Sequence, residues 1–160
     1  MPTLHIICGL PCSGKTTLAQ KLEGETGAVR FSPDDWITAL LPDDYSRSEL
    51  DRLRDPVEAI QWGLAQRLLT LGVNVIVEWG TWSRSERETL RDSASALGAS
   101  VALHYLPVSL EELLRRVEAR NADLPEGTFF ISPSELAGWH EQFEAPDQSE
   151  LETFDDYSIH

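Results

Sequence analysis

Only two cysteines, Cys8 and Cys12, occur in the 160 residues. They stand four apart without companions, too few for a four-ligand zinc site and wrongly spaced for a Cys-x-x-Cys redox pair, so both read as reduced and outside the chemistry. Lysine is as scarce, with Lys15 and Lys21 alone. Beyond Arg120 there is no lysine or arginine: residues 1–120 hold all 13 Lys and Arg against 17 acids, and residues 121–160 hold ten acids. The net charge of −14 repels duplex nucleic acid and anionic membrane surfaces alike. No apolar run approaches the eighteen residues of a membrane span. Met1 to Gly9 leads into a glycine-rich loop without the charged start and cleavage site of a leader, so a cytoplasmic location is expected. The acid-rich end, about 141–160, is expected to be a solvated face or a partly disordered segment.

What is present suits a single α/β domain, since 41% apolar residues over this length can bury a core. Short, nearly continuous apolar runs at Leu4–Cys8, Ala28–Phe31, Val73–Val77 and Val101–Leu106 read as strands buried on both faces, with a fifth expected near Asp155–His160. Between them lie helix starts. Lys15–Glu23 follows the glycine-rich loop, Ser32 precedes Pro33, and Ser-x-x-Glu capping boxes begin at Ser46, Ser83, Ser109 and Ser132. This alternation predicts a parallel β-sheet of about five strands covered by helices on both faces. The polar stretch Asn121–Ile131, with Pro125 and Gly127, reads as a lid of about residues 121–131.

The chemistry is concentrated in Gly9-Leu10-Pro11-Cys12-Ser13-Gly14-Lys15-Thr16, which matches G-x-x-x-x-G-K-[ST] and falls between a strand and a helix, where that motif works. Backbone N–H groups from Cys12 to Thr16 would face a β-phosphate, aided by the positive end of the helix dipole. Lys15 would bridge the β- and γ-phosphates and Thr16 would coordinate Mg²⁺. Asp34 and Asp35 follow the second strand, on the side of the sheet where ligands bind, and one of them is placed to orient an acceptor hydroxyl. Val75-Ile76-Val77-Glu78 has the form of the second phosphate-loop motif, in which the acid holds a water of the Mg²⁺ shell. Trp79 and Trp82 next to it suit core or lid packing, or a substrate platform. Leu110, Leu113, Leu114 and Val117 form a buried helical stripe. Arg115 and Arg116 are expected to pair with Glu111 and Glu112 at i−4, whereas Arg120 has no acid at that spacing and is free to reach transferring phosphate.

Together these residues resemble the small phosphate-loop kinases related to polynucleotide kinase, chloramphenicol phosphotransferase and zeta toxins, often labelled AAA-type predicted kinases. Gly9–Thr17 matches their nucleotide loop, with Cys12 where glycine is common. The resemblance puts Asp34 at the acid that contacts the acceptor hydroxyl, and Arg116 and Arg120 on a lid helix whose arginines contact ATP phosphates. Two features depart from polynucleotide kinase: Ile37 stands where it has an arginine for its nucleic-acid substrate, and Glu78-Trp79-Gly80-Thr81-Trp82 replaces its Asp-Thr-Asn.

The expectation is an ATP- and Mg²⁺-dependent kinase that moves the γ-phosphoryl group to a hydroxyl of a small-molecule acceptor. Asp34, Lys15, Arg116 and Arg120 would be catalytic, and Asp35, Glu78, Trp79 and Trp82 would lie toward the acceptor. Glu78 would serve either the metal through water or the acceptor. A second reading is an ATP-binding switch or partner-dependent NTPase whose acidic end contacts another protein. A third is a polynucleotide 5′-hydroxyl kinase, which would need a basic groove that this composition disfavours.

Overall fold

A computed structural model describes residues 1–125 and 128–160. The first half of the chain runs β1 (Thr3–Cys8), α1 (Lys15–Thr26), β2 (Val29–Phe31), α2 (Pro33–Leu40), α3 (Arg47–Thr70) and β3 (Val75–Gly80). The second half adds α4 (Arg84–Ala96), β4 (Ser100–Tyr105), α5 (Leu110–Ala122), α6 (Pro133–Gln142), α7 (Gln148–Leu151) and β5 (Asp156–Ile159). All strand pairs are parallel, in the order β2-β3-β1-β4-β5. Alternation along β1 explains the layers. Leu4, Ile6 and Cys8 pack against Ala65 and Leu69 of α3 and Leu90 and Ala94 of α4, whereas Ile7 packs with Ala19 of α1. A strand buried on both faces needs apolar residues at both parities, hence a hydrophobic run interrupted only by the half-buried His5. A separate cluster of Leu10, Leu113, Val117, Ile131 and Leu136 joins the glycine-rich loop to α5 and α6. No helix of the described residues is long and apolar enough to cross a membrane.

The four Ser-x-x-Glu sequences all start helices, but they are not equivalent. Ser46 with Glu49 and Ser132 with Glu135 form reciprocal boxes. Ser83 and Ser109 accept from the backbone N–H three residues on, without a full box. At Ser109 the reason is that the Glu112 carboxylate is drawn instead to Arg115 and Arg116, at 2.7 Å from each. Arg115 therefore pairs at i−3 with Glu112, not with Glu111 as expected. Glu112 is held down to about 2 by these two guanidinium groups.

β3 begins at Val75 rather than Val73 and runs on through Gly80, which places Glu78 inside the strand. The acidic end carries the expected solvated face, with Glu141, Glu144, Asp147, Glu152, Asp155 and Asp156 exposed and Glu150 alone of its acids buried. Its last elements are built into the core: Leu151 and Phe154 join the α3–α4 side, and β5 pairs with β4 along Ala102–Tyr105. The anchor is Glu150, which accepts from Arg87 Nε at 2.6 Å and Nη2 at 2.9 Å. Both side chains are almost wholly buried. Neighbouring acids read as a solvated run because a distant partner four elements away is invisible in local sequence. Replacing Glu150 with Ala leaves the Arg87 charge buried without its partner, and we expect a loss of about 3–5 kcal/mol in urea unfolding. An exposed control, Glu152→Ala, should lie within about 0.5 kcal/mol of wild type.

Candidate active site

The glycine-rich loop is shaped by sterics at two glycines. A Cβ on Gly9 would lie 2.6 Å from the Ser13 hydroxyl. Gly80 has φ +92°, and a Cβ there would meet the Trp82 indole nitrogen at 2.9 Å and the Gly9 carbonyl at 3.3 Å. The two backbones touch directly, Gly9 N–H donating to Gly80 O at 3.1 Å. The end of β3 is thereby held against the loop that follows β1. Cys12 adopts φ +66°, a left-handed conformation that explains why glycine suits this position.

Six helices have a serine or aspartate whose side chain accepts from the first turn. α1 starts instead at Gly14, with no side-chain cap. Its first N–H groups and the positive end of its dipole are thus left to an anion, the arrangement that binds phosphate. Lys15 is half-buried beside them and donates to Leu10 O at 2.8 Å. Burial pulls its ammonium below the usual lysine range, opposed by Asp34 and then Glu78. A phosphate anion would reverse that balance.

Thr16 donates its hydroxyl to one Glu78 oxygen, while Arg30 Nη1 donates to the other at 2.8 Å. The Glu78 side chain is only 5% exposed, so it is not the solvent-facing residue that a glutamate in a strand ordinarily is. These two oxygen donors, side by side at the start of α1, suit Mg²⁺, which takes one or two protein ligands and fills its shell with phosphate oxygens and water. Arg30 also bonds Asp35 at 2.8 Å. Asp35 therefore turns toward β2 and does not complete a box with Ser32, whose hydroxyl accepts from Asp35 N. Asp34 points elsewhere, to Arg54 Nη2 at 2.5 Å.

All of these side chains line one cavity of about 1020 Å³. Lys15, Thr16, Arg116 and Arg120 are among its lining residues. Arg116 donates to Glu112 and to Cys12 O at 3.2 Å, which ties α5 to the loop. Arg120 donates Nη2 to Phe129 O at 2.7 Å, and its buried Nε has no partner. Asp34, Asp51, Asp55, Glu58 and Glu86 line the same cavity, with Arg54 between Asp34 and Glu58. Of the two tryptophans, Trp79 donates to Gln61 Oε1 at 3.0 Å and Trp82 packs on Trp139 at 5.7 Å between centroids. Both are fixed structurally and still contribute wall to the cavity. Pro125, Thr128, Phe129 and Ile131 of the expected lid border the same space, while residues 126–127 of that segment lie outside the described residues.

The sequence did not single out Arg30, Arg54 or Glu58, and Glu86 stood out only as a capping residue. The missed cluster has a local trace: Arg54 and Glu58 are i, i+4 on α3 beside the buried Val57 and Gln61. Burial pushes Glu58 up to about 7, with Glu86 adding repulsion, in spite of Arg54 at 3.3 Å. Arg54 sits closer to Asp34, which takes most of its charge. With a folded-state pKa above the unfolded value, Glu58 binds more protons in the native state, so its contribution to stability is present below about pH 4.5 and lost as the pH rises toward 7. Glu86, also raised by burial, acts in the same direction. In urea titrations at pH 4.5 to 7.5, Glu58→Gln should flatten the fall in unfolding free energy. An unchanged slope would place the titrating group elsewhere.

A family model described as AAA domain matches residues 4–146. Among solved structures, the chain is similar to Chaetomium thermophilum Kti12 in complex with ADP-AlF3, at 16% identity and a TM-score of 0.70, covering 98% of this chain and 88% of that one. A gluconokinase from Sinorhizobium meliloti aligns at 22% identity and a TM-score of 0.65, over 99% and 81% of the two chains. A chain of the Pnkp1/Rnl/Hen1 RNA repair complex aligns at 27% identity and 0.68, over 96% of this chain and 46% of that one. No curated protein matches. The likenesses establish the fold of small phosphate-loop kinases.

Proposed function

Because the chain belongs to the AAA domain family, with a phosphate loop and an acid-bearing chamber on one cavity, we propose that it is an ATP- and Mg²⁺-dependent kinase whose acceptor is a hydroxyl of a small molecule. The observation that carries this reading is that Asp34 shares the cavity with Lys15 and Thr16, so a hydroxyl oriented by Asp34 would face the terminal phosphate. Bound Mg²⁺ would neutralise phosphate charge and orient the leaving group.

The chain's own side chains would do the rest. Lys15 would leave Leu10 O for the β- and γ-phosphates, and the uncapped start of α1 would hold the β-phosphate. Arg116 and Arg120 would supply charge on the donor side, Arg120 through its unpartnered Nε while Nη2 keeps the Phe129 carbonyl. Asp34 would orient the acceptor and take its proton late, since a carboxylate is a weak base toward an alcohol. Arg54 positions that carboxylate. Asp34, Asp51 and Asp55 outweigh Arg54 even with Glu58 and Glu86 drawn toward their neutral forms by burial, which favours a neutral or cationic acceptor over an anionic one such as a polynucleotide. A location in the cytoplasm suits this reading.

Transfer of label from γ-labelled ATP into a metabolite extract tests the proposal. Asp34→Asn should reduce turnover about 10²–10⁴-fold with ATP affinity close to wild type. Asp35→Asn, which loses the Arg30 contact, should have the smaller effect. Nucleotide binding without any labelled small product would favour the switch reading instead. At the lid, Arg120→Lys keeps charge without the planar fork and should recover only part of the rate lost in Arg120→Ala, with ATP affinity changing less than turnover. Normal turnover in Arg120→Ala would remove this arginine from the transfer step.

A further inference from the structure

A second cavity of about 790 Å³ lies beside the first, between the end of α2 and the segment that precedes α6. The two share walls: Asp35, Arg47, Leu50, Thr128, Phe129 and Glu135 border both. Away from that shared wall the second cavity is faced by Leu41, Tyr45, Leu124 and Phe130. Leu124 and Phe130 are 42% and 58% exposed, unlike the neighbouring Ile131, which is fully buried. Large apolar side chains gathered on the wall of a cavity mark a place where apolar surface is covered by something else.

Their display is not that of a loose loop. Asn121 clasps Ile131 from both sides, accepting from its N–H at 3.3 Å and donating to its carbonyl at 2.6 Å. Arg120 holds the Phe129 carbonyl and Arg47 holds the Phe130 carbonyl at 3.1 Å. Phe129 thereby borders both cavities, while Phe130 borders the second alone. Arg47, at the boundary, is quenched: its guanidinium pairs with Glu135 at 3.1 Å and lies 4.6 Å from the Phe129 ring centroid and 5.4 Å from that of Trp139. A neutralised cation lying on aromatic faces makes a wall that an apolar group can pass without stranding a free charge.

We propose that the second cavity is a distal subsite for the same acceptor, which is therefore an elongated, amphiphilic alcohol: its hydroxyl lies at Asp34 and its apolar end lies against Phe130, Leu124 and Tyr45. This rests on the kinase reading for the identity of the acceptor end, but the binding subsite is tested without catalysis. The occupant is the acceptor itself, because the second cavity adjoins the one that holds Asp34, with six lining residues in common, and adds Leu41, Pro42, Tyr45, Leu124 and Phe130 beside the single further acid Asp43.

The test uses the full chain without nucleotide and a series of ω-phenylalkanols from 2-phenylethanol to 6-phenylhexan-1-ol, with equilibrium binding measured by ligand-observed NMR. Affinity should climb by up to roughly fourfold per added methylene once the ring reaches the second cavity. Phe130→Asp and the milder Leu124→Ser should flatten that climb, whereas Leu40→Ala, 70% exposed and outside the cavity lining, should leave it unchanged. Melting temperature and ADP affinity verify that the two wall variants fold. A flat series in the wild type, or a series as steep in both wall variants as in the wild type, overturns the subsite. The kinase reading fails separately, if no acceptor is phosphorylated while the chain-length dependence holds.

Discussion

The guanidinium of Arg87 is the point on which the phosphate-loop end of the sheet depends. It is fully buried and has three attachments: the Glu150 carboxylate, the Thr81 carbonyl at 2.8 Å and the Cys8 sulfur at 3.7 Å. A charge so placed cannot be left alone, because desolvation would exceed any gain from packing. Its demand for partners therefore draws α7 to the sheet and fixes the turn after β3. That turn carries two consecutive residues at positive φ, Gly80 and Thr81, and Thr81 is almost wholly buried. Gly80 then contacts Gly9, at the start of the phosphate loop. The same charge opposes the burial that pushes the Cys8 thiol up to about 11, where it stays protonated and inert.

A second layer of control lies in how scarce cations are shared among abundant acids. Arg30 holds Glu78 and Asp35 apart from Asp34, and Arg54 takes Asp34 for the chamber. Two adjacent aspartates on one helix turn thus acquire different surroundings. The cavity that both aspartates border is lined by eight carboxylates against six cations, so each cation is shared among several acids. The segment before α6 is held at two successive carbonyls, by Arg120 on Phe129 and by Arg47 on Phe130.

Much of this architecture is legible in the chain because local physics dictates it. Runs such as Leu4–Cys8 are apolar at both parities, which only a strand covered on both faces explains, and the parallel order follows from the intervening helices. Gly9–Thr16 announces itself because its spacing is needed for backbone to wrap phosphate. Local rules fail where a side chain has a choice. Glu112 leaves the Ser109 box for Arg115 and Arg116, and Glu78 reads as a strand-end acid until Thr16 and Arg30 enclose it.

By itself, then, the sequence determined the class of fold, the phosphate loop and the helix starts, all set by contacts within a few residues or by periodicity. Tertiary structure alone decided which acid each arginine holds: Arg87 with Glu150 across 63 positions, Arg30 with Glu78 across 48, and Arg54 with Asp34 across 20. An ion pair depends on distance and desolvation in the folded state, and neither is encoded in spacing along a chain with more than twice as many acids as bases.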